Sequence, residues 1–232
     1  LNSFSGINSS LRFFSLGNID FTDESGNSTL PSQRPSEFSF DFGYNLLLTD
    51  ALSMGVTLRY INSRLVSGPF NNTIFKAGNT FAGDISLFYK QNEDLEGFHA
   101  GLVLSNLGGK VSYTNETKNK FLIPANIGLG AAYLNKFDEE NSIEFGLDVN
   151  RLMVPASPIG NDPELEDQYY SQSVVASWFN SFSSKYGIPF SESLKVSLGA
   201  EYNYADRFHL RAGYFVDNNK NLGSMQYFTV GS

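Results

Sequence analysis

The sequence predicts an all-β fold, an antiparallel transmembrane β-barrel. Three observations predict it: long runs of strict two-residue alternation, connections that are short and long in turn, and tyrosines gathered near strand ends. The clearest stretch is residues 193–216, SLKVSLGAEYNYADRFHLRAGYFV. Val196, Leu198, Ala200, Tyr202 and Tyr204 fall on one side, and Lys195, Ser197, Gly199, Glu201 and Asn203 on the other. After a tight turn at Ala205-Asp206, Phe208, Leu210, Ala212, Tyr214 and Val216 alternate with Arg207, His209, Arg211 and Gly213. Successive side chains of a strand point to opposite faces, so the two runs form an antiparallel hairpin. Strands of soluble proteins average about five or six residues, whereas a membrane-spanning strand needs roughly nine to eleven. These two runs have the second length.

The rest of the chain repeats this hairpin. Residues 11–21 are β-rich but alternate poorly, and 22–35, with Gly26, Pro31 and Pro35, read as a loop. Phe38, Phe40, Phe42 and Tyr44 share one face of the next strand, and Leu52, Met54, Val56, Leu58 and Tyr60 that of its partner beyond a turn at 49–51. A loop over 62–78 precedes strands at 81–89 and 98–105, which are joined by an acidic turn. A polar loop over 107–125 leads to strands at 127–133 and 143–149. An insertion over 154–192 separates these from the hairpin, and a loop over 217–224 leads to a last strand at 225–231. That makes ten strands, with short connections near 50, 93, 138 and 205 and longer ones near 28, 70, 116, 173 and 220. Short periplasmic turns alternating with long extracellular loops are the pattern of an outer-membrane barrel.

Composition narrows the function classes. Twenty-four acids against 16 bases give a net charge of −8, which argues against nucleic acid as a partner. Without cysteine there is no disulfide framework or thiolate metal site. No apolar run reaches the length of a membrane-spanning helix. The mean hydropathy of −0.22 is compatible with a barrel, in which only alternate residues meet lipid. Residues 1–232 read as one barrel domain. The chain begins at Leu1 and ends inside a strand-like run, so the natural protein is expected to be longer at both ends.

One face of each strand holds the charges: Asp41, Arg59, Asp84, Glu144, Asp148, Lys195, Glu201, Arg207 and Arg211. In a barrel these point into the lumen, because a basic residue facing the bilayer midplane costs about 2–4 kcal/mol. Mixed signs favour a salt-bridged interior over a conductive pore. His99 and His209 fall on the same polar faces and read as ordinary lumen residues rather than a metal pair. Tyr44, Tyr60, Tyr89, Tyr133, Tyr202, Tyr204 and Tyr214 suit an interfacial girdle. No acid/base spacing, GxSxG, phosphate loop or metal box occurs, so neither an enzyme nor a cofactor is expected. The insertion carries an acidic segment at 162–167, followed by Val174, Val175, Trp178, Phe179 and Phe182 on one face of a short helix. That face either packs on its own barrel mouth or docks a partner, since aromatic residues on exposed loops anchor interfaces.

Eight stretches in order carry a family resemblance: LRFFSLGNIDFTD (11–23), LRYINSRL (58–65), KAGNTFAGDIS (76–86), LSNLGGKVSYT (104–114), FLIPANIGLGAAY (121–133), LDVNRLMVPASP (147–158), GAEYNYADRFHLRAGYF (199–215) and YFTVG (227–231). Together they resemble the PorV family of the type IX secretion system, within the FadL-like outer-membrane barrels. The resemblance implies a barrel of about 14 strands in the bacterial outer membrane, of which ten are present here. It further implies docking on the translocon barrel (SprA/Sov), receipt of the C-terminal domains of secreted cargo, and transfer to the surface attachment protein PorU. The alternative is a FadL-like carrier of hydrophobic small molecules. The inward charges oppose it.

Overall fold

The computed structural model describes residues 4–22, 24–26, 28–70, 73–115, 120–155, 163–183, 192–219 and 223–232. The first half holds β1 (Ser5–Ser15), β2 (Ile19–Thr22), β3 (Ser28–Gln33), β4 (Ser36–Thr49), β5 (Leu52–Arg64), β6 (Gly68–Phe70), β7 (Thr73–Phe75), β8 (Gly78–Lys90) and β9 (Gly97–Gly108). The second half holds β10 (Asn126–Lys136), β11 (Asn141–Leu152), two helices, α1 (Pro163–Ser171) and α2 (Val174–Asn180), and then β12 (Leu194–Tyr204), β13 (Phe208–Asp217) and β14 (Met225–Gly231). Ten long strands build the barrel wall as two antiparallel sheets, β1-β4-β5-β8-β9 and β10-β11-β12-β13-β14. β9 lies alongside β10, so the two sheets run on as one wall. β2-β3 and β6-β7 are small hairpins at the long-loop end.

The register puts residues of one kind in rows across the wall. Leu11, Phe40, Tyr60 and Phe81 lie side by side across β1, β4, β5 and β8. Ala131, Leu147, Leu198, Tyr214 and Phe228 do so across β10 to β14. Leu58, Phe81, Phe228 and Val230 are 66 to 82% exposed, which a water-facing surface would not tolerate and a lipid-facing one requires. The buried core is correspondingly small, with Ala82, Val111 and Ile123 at its centre. Most of this chain's apolar surface is therefore matched to the bilayer. On the inner side, Ser10, Asp41, Arg59 and Ala82 form one row, and Ala132, Gly146, Gly199, Gly213 and Thr229 another. Exposed Tyr89, Tyr133 and Tyr204 ring the short-turn end. Near the other end Tyr60 donates to Asn79 and Tyr214 to Gln226.

The structure corrects several boundaries. The first wall strand is 5–15 rather than 11–21. Its polar start, SGINSS, lacks an apolar stripe of its own and is recruited by pairing with β4. Residues 22–35 are not simply a loop, because β3 pairs with β2. The region 62–78 continues β5 to Arg64 and then forms the β6-β7 hairpin. The insertion holds two helices instead of one. Ala205 and Asp206 do form the tight turn, both with positive φ (53° and 52°), and with Arg207 they make a three-residue connection between paired Tyr204 and Phe208.

The β9–β10 junction is built differently from the other wall pairs. No backbone ladder joins these strands among the described residues, and a single bridge links Glu96 to Leu134. Side chains hold the seam instead. His99 Nε2 lies 3.3 Å from Glu144 Oε1, across the small residues of β10, and Lys136 pairs with Asp94 at the short-turn rim. The Lys136 ammonium, and after it the Glu96 amide, hold the Asp94 carboxyl below its ordinary value. A depressed carboxyl stabilises the fold above its unfolded pKa, about 3.9, and that contribution is lost as pH falls through the folded value.

Two outcomes are expected. An NMR titration should place the Asp94 midpoint below about 3.9, and Lys136→Met should return it to the ordinary range. Leu58→Arg, on the lipid face, should cost about 2–4 kcal/mol in refolding into vesicles, whereas Thr57→Arg on the lumen face should cost much less.

Candidate functional site

Inside the first sheet, three of the expected lumen charges meet at one guanidinium. Arg59 on β5 donates through Nε to Asp41 Oδ1 on β4 at 2.8 Å and through Nη2 to Asp84 Oδ2 on β8 at 2.8 Å. Its Nη1 donates to Asn106 Oδ1 at 2.5 Å. Alternation alone places Asp41, Arg59 and Asp84 inside; antiparallel pairing sets Asp41 opposite Arg59 and Asp84 two residues along, opposite Thr57, within reach of the guanidinium. Asp41 also accepts from Ser10 and Arg12 on β1. The planar fork of arginine suits it to two carboxylates at once.

Arg12 and Asn106 did not stand out in the sequence. Arg12 could have been found only by starting β1 earlier and pairing it with β4. Asn106 has a positive φ of 56° at a register break, where Gly83 pairs with Leu107 and Ile85 with Leu104. The break frees its backbone N–H, which donates to Asp84 Oδ1 at 2.8 Å, and its Nδ2 donates to Pro124 O at 3.2 Å. A carboxylate thus replaces the missing ladder bond.

The chain beyond Asn106 turns back onto the inner side of the wall. Val111 and Ile123 pack on Ala82, with Ile61 and Tyr113 beside them, and Ile61 and Ala82 belong to the same inner face as Arg59. Val111 and Phe121 exchange both backbone hydrogen bonds at 2.8 Å, and Tyr113 donates to Ser63. Glycine is required beneath this loop. At Gly108 a Cβ would lie 2.7 Å from Ala82 Cα and from Ile123 Cδ1.

The other expected lumen charges form separate pairs. Glu144 meets His99 across the seam, and Lys195 lies 3.3 Å from Asp217 on β13. Glu201 accepts from Arg211 and faces His209 Nδ1 at 3.0 Å. Asp148 leans over Gly130 and has no ion-pair partner among the described residues. Arg207 lies in the turn between β12 and β13 rather than on a strand face, and its N–H donates to Tyr204 O. Each histidine has its own glutamate, and no metal-binding group of three or more ligands occurs among the described residues.

At the long-loop end a cation meets the last carbonyls of each helix. Lys110 Nζ donates to Tyr170 O and Gln172 O, each at 2.7 Å, at the end of α1. Burial, and then nearby Lys120, push the Lys110 ammonium below its ordinary pKa. Arg151 Nη2 donates to Ser181 O at 2.6 Å beyond α2, and its guanidinium stacks 4.2 Å above the Phe182 ring. Cations at helix C-termini complement the exposed carbonyls and the macrodipole. Ser173 caps the start of α2 by accepting from the Ala176 N–H. The expected apolar face is divided. Val175, Phe179 and Phe182 are exposed, Phe179 at 73%, whereas Val174 and Trp178 are half-buried and Ser177 is fully buried. Asp162 of the acidic segment lies outside the described residues.

Replacing Arg59 with Ala should destabilise the barrel by about 3–5 kcal/mol in denaturant unfolding from vesicles, because it leaves the enclosed Asp84 without its cation and Asp41 with Arg12 alone. Breaking the exposed pair Glu201–Arg211 should leave the unfolding midpoint essentially unchanged in the same assay.

Comparison with known proteins follows the same lines. A family model for the type IX secretion system protein PorV matches residues 1–159, more than half of the chain. The solved structures that resemble it include the toluene transporter TodX of Pseudomonas putida, with a TM-score of 0.49 and 13% identity, covering 93% of this chain and 65% of that one. The toluene transporter TbuX of Ralstonia pickettii has a TM-score of 0.42 and 10% identity, covering 99% of this chain and 67% of that one. The present chain thus spans somewhat less than two thirds of the TodX chain. A search of curated protein sequences gives no match. With the matched segment running from β1 through the last wall strand before the helices, the chain belongs to the PorV family of the type IX secretion system and is a bacterial outer-membrane β-barrel.

Proposed function

We propose that this chain is a non-enzymatic docking subunit of type IX secretion. In this reading it binds the translocon barrel (SprA/Sov), receives the C-terminal domains of secreted cargo, and hands them to the attachment protein PorU. No bond is made or broken, and the work is docking and release. The lipid-facing rows keep the subunit in the outer membrane, and the 154–192 insertion serves as an extracellular docking loop.

The observation that supports this reading best is the helix pair at the long-loop end. α2 presents Val175, Phe179 and, just past its end, Phe182 to solvent. Exposed apolar side chains at spacings of three and four residues are costly on a free surface and useful on an interface. The capped helix ends hold that face in one orientation, so docking loses little conformational entropy. The rival carrier of hydrophobic small molecules requires an apolar path through the lumen. Asp41, Arg59, Asp84, Glu144 and Glu201 on the inner faces oppose such a path.

The double variant Val175→Ala/Phe179→Ala should reduce co-purification of the translocon barrel or of cargo at least tenfold while leaving heat-modifiable migration of the barrel unchanged. Undiminished recovery of both partners would remove this role from α2. Rapid uptake of a hydrophobic small molecule by proteoliposomes containing this protein alone would favour the carrier instead. Trp178→Ala should act mainly on stability, because the indole is half-buried.

A further inference from the structure

We infer that the connection between β9 and β10 is a strap folded into the lumen, and that Arg59 latches it and thereby positions the helix pair at the barrel mouth. The inference rests on the docking reading only for what the helices are for; the latch itself is argued from geometry.

The contacts run in one direction. Arg59, in the lumen, donates to Asn106 Oδ1, two residues before the end of β9. Asp84 receives both Arg59 and the Asn106 N–H, so the root of the strap is fixed from two sides. Asn106 Nδ2 reaches Pro124 O, where the chain returns toward β10. One asparagine therefore ties the departing and returning ends together. Between them the described residues 109–115 and 120–125 lie against inner-face Ala82 and Ile61 through Val111, Ile123 and Tyr113. Val111, in the lumen, is 8% exposed.

The strap is in turn the support of α1. Lys110 donates to the two carbonyls at the end of that helix, and Phe121 meets Tyr170 edge-on with ring centroids 6.1 Å apart. An extracellular helix is thus held by a loop that is held by a lumen ion network. Loss of the Arg59–Asn106 contact removes the tie at the root of the strap, while the Tyr113–Ser63 hydrogen bond, the Lys76 N–H to Tyr113 O bond and the small apolar cluster still hold its middle.

These 232 residues contain no cysteine, so an introduced thiol is the only one among them, and any cysteine elsewhere in the full-length protein is replaced by serine for the experiment. Val111→Cys, in the full-length protein in nanodiscs, should react slowly with a membrane-impermeant maleimide. It should react at least tenfold faster when combined with Arg59→Ala. Asn106→Ala, which leaves the Arg59 carboxylate pairs in place, should act in the same direction and serves where Arg59→Ala fails to fold. A spin label at Gln168 on α1 should become more mobile in both backgrounds. Ser197→Cys, on the inner wall of β12, should label at the same rate throughout. Fast labelling of Val111→Cys in the native background would overturn the strap. Unchanged labelling or unchanged Gln168 mobility in the variants would overturn the latch, and so would a parallel rise at Ser197→Cys, which means general loosening. None of these readouts involves a partner, so they fail or succeed independently of docking.

Discussion

The constraint on which this structure depends is that lipid offers no hydrogen bonds. Every strand must give its backbone groups to a neighbour, present apolar side chains outward, and send its charges inward. That single requirement explains strands of ten to fourteen residues in nine of the ten wall positions, their rows of like residues, and a core of only a few buried apolar side chains. Pairing also fixes depth as well as facing. A slip of one residue would turn Asp41, Arg59 and Asp84 toward lipid together.

Within that frame Arg59 organises the first sheet. A lone cation in a confined lumen would be costly, and so would two lone carboxylates; one guanidinium shared between Asp41 and Asp84 resolves both. Its third donor goes to Asn106, which joins the wall to a loop. The second sheet is organised differently. Its inner face carries a row of Gly146, Gly199 and Gly213, and its charges form local pairs rather than a network. The two halves meet at the β9–β10 seam, where no backbone ladder forms among the described residues and two ion pairs, His99–Glu144 and Lys136–Asp94, cross between them.

The long-loop end uses another physics. There the backbone forms short hairpins, helices and irregular loops, and around the helices the recurrent device is a cation on exposed carbonyls. Lys110 and Arg151 come from different parts of the barrel, so the two helices are held from both sides of the seam. The result is a helix, α2, with Val174 and Trp178 half-buried and Val175 and Phe179 exposed.

Much was legible in the sequence because alternation is local. Nine of the ten wall strands, the turn at Ala205-Asp206, and the inward facing of Asp41, Arg59 and Asp84 follow from the two-residue period. What the period could not reach depends on partners distant in the chain. The polar start of β1 is a strand only because β4 lies beside it, and Arg12 joins Asp41 only through that pairing. The short hairpins β2-β3 and β6-β7 are too brief for alternation to register. Arg207 has the parity of a strand residue yet lies in a turn, since two residues with positive φ precede it. Asn106 carries no pattern at all. Its role comes from a register break and from groups on β5, β8 and the returning loop, which only the folded wall brings to one point.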